Sequence, residues 1–271
     1  SMNLPLGTKG GLALIEDFRT RIKNYNQLRN FPGKKGVSYL SVHNRFGTVS
    51  IRHLAKIALE NSSEGSSTWL NELIWRDFYF QILSNFPHVG NGKTFKLKYD
   101  NLKFENDEKK FEAWTSGKTG YPIVDAGMRQ LNSTGFMHNR LRMIIACFLV
   151  KDLLIDWRWG EKYFADNLID FDFSANNGGW QWAASTGCDA QPYFRVFNPT
   201  LQSERFDPDG NFIKKYVPEL NSLSKKEIHQ PSLFFDKSPS TFPVKLGVNY
   251  PYPIVNHAEQ KARAIALFKN N

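Results

Sequence analysis

The chain has 271 residues, 41% of them hydrophobic and 23% charged, and its 35 basic and 26 acidic side chains leave a formal charge of +9. That length makes one large domain or two small ones and supplies enough apolar residues for a sizeable core, which excludes a disordered chain. The most apolar stretch, Met143 to Val150, is bounded by charge and far too short to span a bilayer, which excludes a membrane protein.

The start, SMNLPLGTKGG, lacks the basic and then apolar layout of a signal peptide. Ser1-Met2 reads as a tag remnant, and residues 1–10 as a remnant and linker before the domain proper. Helical spacing begins near Leu12 in LALIEDFRTRI. It recurs in VSIRHLAKIAL from Val49, WLNELIWRDFYFQIL from Trp69, IVDAGMRQL from Ile123 and HNRLRMIIACFLVKDLLIDW from His138. Alternating strand patterns are scarce. Connections such as NFPGKKG, NSSEGSS and TSGKTGYP carry Gly, Pro, Asn and Ser where turns need them. From about Asn198 the chain mixes Pro with polar residues and ends in HAEQKARAIALF, a helix expected to pack back onto the body. Repeats, low complexity and a convincing internal boundary are all missing. The expectation is an all-α domain over residues 11–271.

Only Cys147 and Cys188 are present, so a disulfide framework is not expected and an intracellular, cytoplasmic home is. The Asn-x-Ser/Thr matches at Asn61 and Asn132 are then incidental. The positive charge suits a phosphate-rich partner, although a solvated lysine face produces the same sum. Aromatic residues make up 14% of the chain, and all seven Trp lie between Trp69 and Trp182, a clustering that uniform core filling does not give.

Several motifs fail on inspection. Gly92-Lys93-Thr94 and Gly117-Lys118-Thr119 resemble phosphate loops, but Pro87 and Glu112 stand where the first Gly belongs. No GxGxxG, HExxH or GxSxG string occurs, the six His show no metal spacing, and His138 reads as a polar or capping residue. No metal is expected.

Two constellations remain. In WLNELIWRDF, Trp69, Glu72 and Arg76 fall at i, i+3 and i+7 and share a helical face. Alone, that face reads more readily as a surface ion pair beside a core Trp. In the second, Asn139 and Arg142 share a face, and LIDFDFSANNGGWQWAASTG follows with alternating Asp170 and Asp172, adjacent Gly178 and Gly179, and Trp180 and Trp182. Glycines permit close backbone approach, and amides, acids and a guanidinium beside indoles suit a large, flat, hydrogen-bonding cofactor.

At these residues the sequence resembles the DNA photolyase and cryptochrome family, in particular the helical FAD-binding domain of a microbial class I cyclobutane pyrimidine dimer photolyase. WLNELIWRDF, TGYPIVDAGMRQLNSTGFMHNRLRM, FLVKDLLIDWRWGEKYF and NNGGWQWAASTGCDAQPYFRVFNP carry the likeness, which runs from about Leu12 to the end. The family's N-terminal α/β antenna domain is missing, and its light-harvesting chromophore is not expected in this chain. The resemblance implies an all-helical fold holding FAD. It places Tyr25, Ser38, Leu40 and Ser41 on the phosphates and ribitol, with Trp69 and Arg76 lining the same cavity. Arg142 would pair with Asp170 beside the isoalloxazine, Asp172 would bond its polar edge, and Asn139 and Asn176 would sit close to the ring. Trp75 and Trp182 would flank a flipped-out dimer, Glu72 would hydrogen-bond it, Met143 would pack against it, and Arg29, Arg140, Arg195 and Arg205 would hold DNA phosphates.

The implied activity is light-driven repair of pyrimidine dimers in DNA by a monomer, with Glu72, Asn176, Met143, Trp180 and Trp157 as its catalytic set. Trp180 and Trp157 match the inner two members of the family's electron-carrying Trp chain. The outer position holds Phe104, and Phe is far harder to oxidise, so a route through Trp159 or Tyr99 is expected instead. Val37 and Phe136 are smaller departures, at positions where the family commonly has a hydroxyl residue and a Trp. A cryptochrome-like receptor that keeps FAD without repairing DNA is the second reading, and a colourless basic DNA-binding module the third. A (6-4) repair enzyme fits less well, because its paired His is missing.

Overall fold

The computed structural model describes residues 4–188 and 194–269, so Ser1-Met2 and the Asp189–Tyr193 part of the last motif lie outside the described residues. The chain builds α1 (Gly7–Arg19), α2 (Tyr25–Leu28), α3 (Ser41–Phe46) and α4 (Ile51–Glu60) ahead of the long α5 (Glu64–Asn85). Next come α6 (Glu108–Thr115), α7 (Pro122–Thr134), α8 (Asn139–Cys147), α9 (Trp157–Asn167) and α10 (Phe173–Ala184). The last are α11 (Pro199–Phe206), α12 (Asn211–Tyr216), α13 (Pro231–Phe235) and α14 (His257–Lys269). Among the described residues no strand forms beyond an isolated bridge between Leu246 and Tyr250, and no helix is long and apolar enough to cross a membrane.

Local chemistry sets the boundaries. Ser63 and Ser66 form a reciprocal cap on α5, and Asp107, His138, Asp156, Asp172 and Asn198 each accept a backbone N–H at the start of α6, α8, α9, α10 and α11. Each such cap contributes about 1 kcal/mol. Residues 7–10, expected to belong to a linker, are instead the first turn of α1, with Gly10 buried. The run from His138 to Trp157, read as one helical pattern, is interrupted. α8 ends at Cys147, a wide π-type turn covers Phe148–Asp152, and Leu154 takes a left-handed φ of 52°. The break is fixed from a distance: the Leu154 carbonyl accepts the amides of Glu105 and Asn106 at 2.9 and 3.4 Å, and Leu153, Leu154 and Ile155 are all buried. Asp156 then caps a new helix.

Two cores result. The first gathers α1, α2, α4 and the start of α5 around Phe18, Tyr25, Leu54 and Trp69. The second is larger and collects α7 to α10 and the C-terminal segments around Trp114, Trp157, Phe148 and Leu149. The C-terminal segment packs back as expected. Tyr250 donates to buried Asp125 at 2.5 Å, His257 meets Asp152 at 2.5 Å, and Phe268 of α14 enters the larger core.

Candidate active site

The seam between the two cores holds a pair of adjoining cavities of about 360 and 320 Å³, each within the usual range for small-molecule sites. Glu72, Trp75, Tyr79, Asn139, Arg142, Asp170, Asp172 and Ala175 line both, so the two form one continuous cleft.

The second cavity is walled by Tyr25, by the loop residues Ser38 and Leu40 that lead into α3, by Ser41, and by Arg76 from α5. Arg76 donates to the Asn44 carbonyl at 3.4 Å and lies 4.7 Å from the Phe80 ring centre, which fixes its guanidinium at the wall. Burial pushes the Tyr25 phenol well above its ordinary value, so it enters as a neutral hydroxyl. Val37 and Phe136 also line this cavity.

Where the cavities merge, Arg142 is held rigidly. Its Nη2 donates to both Asp170 carboxylate oxygens at 2.9 and 2.8 Å, and its Nε donates to the Met137 carbonyl at 2.9 Å. The Asp170 side chain is 2% exposed, so this is a nearly buried, hydrogen-bonded pair. Asp172 caps α10, accepting from Ser174 Oγ at 2.5 Å and the Ala175 amide at 3.1 Å, both on Oδ1; among the described residues none donates a hydrogen bond to Oδ2. His138 caps α8 with Nδ1, as its reading as a capping residue anticipated. Burial first, then the charges of Arg142, Arg140 and Arg29, lower its pKa to about 4, which keeps it neutral at physiological pH.

The first cavity adds Arg29, Met143, Asn176, Gly179, Trp180 and Trp182. The Asn176 side-chain N–H is committed to the Glu161 carbonyl at 3.1 Å. The adjacent glycines do different jobs. A Cβ on Gly178 would meet the Tyr79 ring at 2.1 Å, whereas a Cβ on Gly179 would meet nothing within 4 Å, because it would point into the cavity. Open space at a glycine on the wall fits a flat group lying close to the α10 backbone. With Arg142 as a fixed cation, Asp172 Oδ2 as an acceptor and hydroxyls at Ser38 and Ser41, the residues present fit FAD.

At the mouth, Trp75 is half exposed and packs edge-on to Phe78 at 5.2 Å, and it lines the first cavity together with Trp182. Glu72 is paired with Arg29 at 2.5 Å, so the expected ion pair exists with a partner other than Arg76. Arg140 and Arg205 flank the Phe206 ring, at 4.4 and 5.3 Å from its centre.

The structure places three further expected residues away from the cleft wall, and only for Trp69 is that wall the expectation. Trp69 does not line the cleft; it packs in the smaller core against Phe18 at 4.9 Å, two helical turns from Arg76. Trp157, expected in the electron-carrying chain and not on the cleft wall, is fully buried and carries the Arg158 guanidinium 4.9 Å from its ring centre; Trp180 lies 4.9 Å from Phe164 and 6.2 Å from Trp114, ring centre to ring centre. Arg195 lines a third cavity of about 300 Å³, with Lys96, Tyr99 and Trp182. Sequence reasoning missed Tyr79, which lines both cavities one turn beyond Trp75 and could have been found from that i+4 spacing. It also missed Tyr39, a cavity residue at φ 59° whose strain leaves no mark in the sequence.

Comparison with known proteins agrees with this geometry. A family profile described as "FAD binding domain of DNA photolyase" matches residues 69–270. A deoxyribodipyrimidine photo-lyase of Vibrio cholerae is 51% identical over 263 residues, covering 95% of this chain and 54% of that protein. The crystal structure of a bacterial class III photolyase from Agrobacterium tumefaciens superposes with a TM-score of 0.89 at 44% identity, over 97% of this chain and 56% of that one. A Synechocystis cryptochrome gives the same TM-score at 36% identity, over 96% and 56%. The chain thus spans about half the length of the curated relatives it matches. A cleft whose polar lining fits FAD, an all-helical fold and a profile match over three quarters of the residues lead to one assignment: the chain belongs to the family of FAD-binding domains of DNA photolyases.

Proposed function

We propose that this protein is a light-driven lyase that splits cyclobutane pyrimidine dimers in DNA, with FAD in the seam cleft and the dimer at its mouth. The observation that carries this reading is the continuity of the cleft. Residues suited to a flavin (Arg142, Asp170, Asp172) and residues suited to a flipped-out dimer (Glu72, Trp75) line the same walls. When bound and reduced, FAD supplies the light-excited electron that opens the cyclobutane ring and is then returned.

The protein's own groups have distinct tasks. Arg142, locked by Asp170 and Met137, offers a cation that favours a negatively charged reduced ring, and Asp172 Oδ2 accepts a ring N–H. Because Glu161 holds the Asn176 N–H, Asn176 offers its carbonyl oxygen, an acceptor that suits a protonated ring nitrogen. Trp75 and Trp182 sandwich the extruded bases and exclude water, and Met143 fills the remaining apolar wall. Arg29, Arg140 and Arg205 take the phosphates.

A cryptochrome-like receptor is the rival reading, since one structural neighbour is a cryptochrome. The complete mouth favours repair, because a receptor needs no lesion pocket. The test is recovery of thymine ultraviolet absorbance on a dimer-containing oligonucleotide, with chemically reduced, anaerobic, FAD-loaded protein under blue light. Recovery that needs light and is lost in Glu72→Ala and Trp182→Ala supports the lyase. A yellow, folded protein that gives none supports the receptor.

A further inference from the structure

Three arginines cluster beside the cleft, and one of them, Arg29, is paired with Glu72. Arg140 is held by Asn30 Oδ1 at 2.8 and 3.3 Å and lies over Phe206, which Arg205 also flanks. Arg29 follows α2 and packs its guanidinium 5.4 Å from the Tyr25 ring centre. Burial and the nearby charges of Arg29 and Arg205 lower the Arg140 pKa, and Glu72 opposes them. Glu72 is therefore the carboxylate that offsets this cluster, and it does so through a contact of 2.5 Å with Arg29. The two side chains are 20% and 30% exposed and both line the first cavity, where an extruded base would sit.

A partly buried charge is stable only while it has a partner. Arg29 can leave Glu72 for a backbone phosphate at little cost only if Glu72 simultaneously gains a donor. An extruded base provides one, through its ring N–H; stacked, undamaged DNA does not. Resting on the DNA-repair reading, we propose that the Arg29–Glu72 ion pair is a latch that makes a phosphate contact conditional on a base in the cavity, so that Arg29 determines specificity and does not merely add affinity. Arg140 and Arg205 hold phosphates on any DNA. Arg29 joins them when the carboxylate is engaged by a flipped base. By linkage the coupling is reciprocal: a phosphate that draws Arg29 away frees Glu72 for the base.

Salt dependence reads this directly, because each phosphate contact contributes about 0.9 to the slope of log affinity against log salt. Duplexes with and without a thymine dimer are titrated in the dark with FAD-loaded protein. The wild-type slope should be steeper on dimer DNA than on undamaged DNA by about 0.9. Glu72→Gln should steepen the undamaged slope by the same amount and reduce discrimination, while Asp77→Asn, which removes an exposed acid from the same helix, should not. Arg29→Gln should flatten the dimer slope alone, and Arg29→Lys should retain most of it. The latch is overturned if Arg29→Gln flattens both slopes equally, or if Glu72→Gln and Asp77→Asn act alike. Should the wild type bind both duplexes equally, the repair reading fails; the latch then stands or falls on the Glu72→Gln slope with undamaged DNA.

Discussion

Removing the Arg142 guanidinium is the sharpest test of how the cleft is held. Asp170 is almost wholly buried and takes both of its side-chain hydrogen bonds from Arg142 Nη2, at 2.8 and 2.9 Å. Arg142→Leu therefore strands a carboxylate in a site it cannot leave, and breaking a buried pair from one side costs about 3–5 kcal/mol. Arg142 is itself 28% exposed, so solvent tempers the loss and the lower half of that range applies. In a domain of this size each kcal/mol moves the midpoint by about 2–4 °C, so the single variant should melt roughly 6–16 °C below wild type. Asp170→Leu should cost less, because the freed arginine can turn to solvent. The double variant Arg142→Leu/Asp170→Leu should recover most of the loss, since apolar replacements often match a buried ion pair in stability. Thermal unfolding of the four FAD-free proteins by circular dichroism closes the cycle. The reasoning is refuted if the single variant loses less than about 1 kcal/mol, or if the double variant is no better than its parents. None of the three variants should retain FAD as wild type does, because stability can be restored without restoring the cation.

Other consequences are open to measurement. His138 is neutral in the fold with a pKa of about 4, against 6.5 unfolded, so its contribution is fully present above pH 6.5 and is lost as pH falls to about 4; the total is about 3 kcal/mol. Urea unfolding of His138→Asn, which preserves a cap, should show a shallower decline than wild type between those pH values. Gly179→Ala should raise the stability of the FAD-free protein by about 0.5–1 kcal/mol while weakening FAD retention, because its methyl enters the cavity, whereas Gly178→Ala should cost about 1–3 kcal/mol against the Tyr79 ring. Lys151 is fully buried, with its pKa lowered to about 7 from 10.5 by desolvation, and two phenyl faces at 3.5 and 4.3 Å return part of that cost. Lys151→Met should thus stabilise the protein near neutral pH, by about 4 kcal/mol at most, with the gain shrinking as pH rises toward 10.5. For light-driven reduction of bound FAD, Trp180 and Trp114 lie 6.2 Å apart and Phe111, itself not oxidised, bridges Trp114 to Trp159 at 5.7 and 5.2 Å, so Trp159→Phe should lower the yield severalfold, and an unchanged yield would remove this route.

Much of the site is visible in the chain wherever spacing along one helix decides the matter. Asn139 and Arg142, or Glu72 and Arg76, share faces by arithmetic alone and do line the cleft. The failures have physical causes. Trp69 falls on the angular face of Arg76, but it stands two turns nearer the α5 N-terminus, where Phe18 covers it; periodicity gives an angle and says nothing about depth along the axis. The helix is apolar on several sides, so the pattern does not declare which side meets the core. The break after Cys147 depends on a carbonyl captured by amides nearly fifty residues earlier, a contact with no local signature. Ser38, Leu40 and Ser41 lie in a loop and the short helix it enters, without period, and only the family resemblance singled them out.

The position of the cleft explains why one domain can be both stable and receptive. α5 is 22 residues long, about 33 Å at 1.5 Å per residue, and it runs from the smaller core to the cleft. Its first two turns anchor Trp69 in that core, while its middle turns present Glu72, Trp75, Arg76 and Tyr79 to the cleft and fit Tyr79 against Gly178 of α10. The two cores are each close-packed, but between them lie polar side chains and empty volume instead of interdigitated apolar ones. A ligand that binds only the folded state adds RT ln(1 + [L]/Kd), about 4 kcal/mol at a thousandfold excess over Kd. Because that ligand contacts both sides of the seam, the added stability is concentrated there. Hydrogen exchange should accordingly slow most on FAD binding in residues 37–45 and at the start of α10, and least in the buried centre of α7, whose protection already comes from the larger core. Uniform slowing across all helices would mean that the seam is no weaker than the cores it joins.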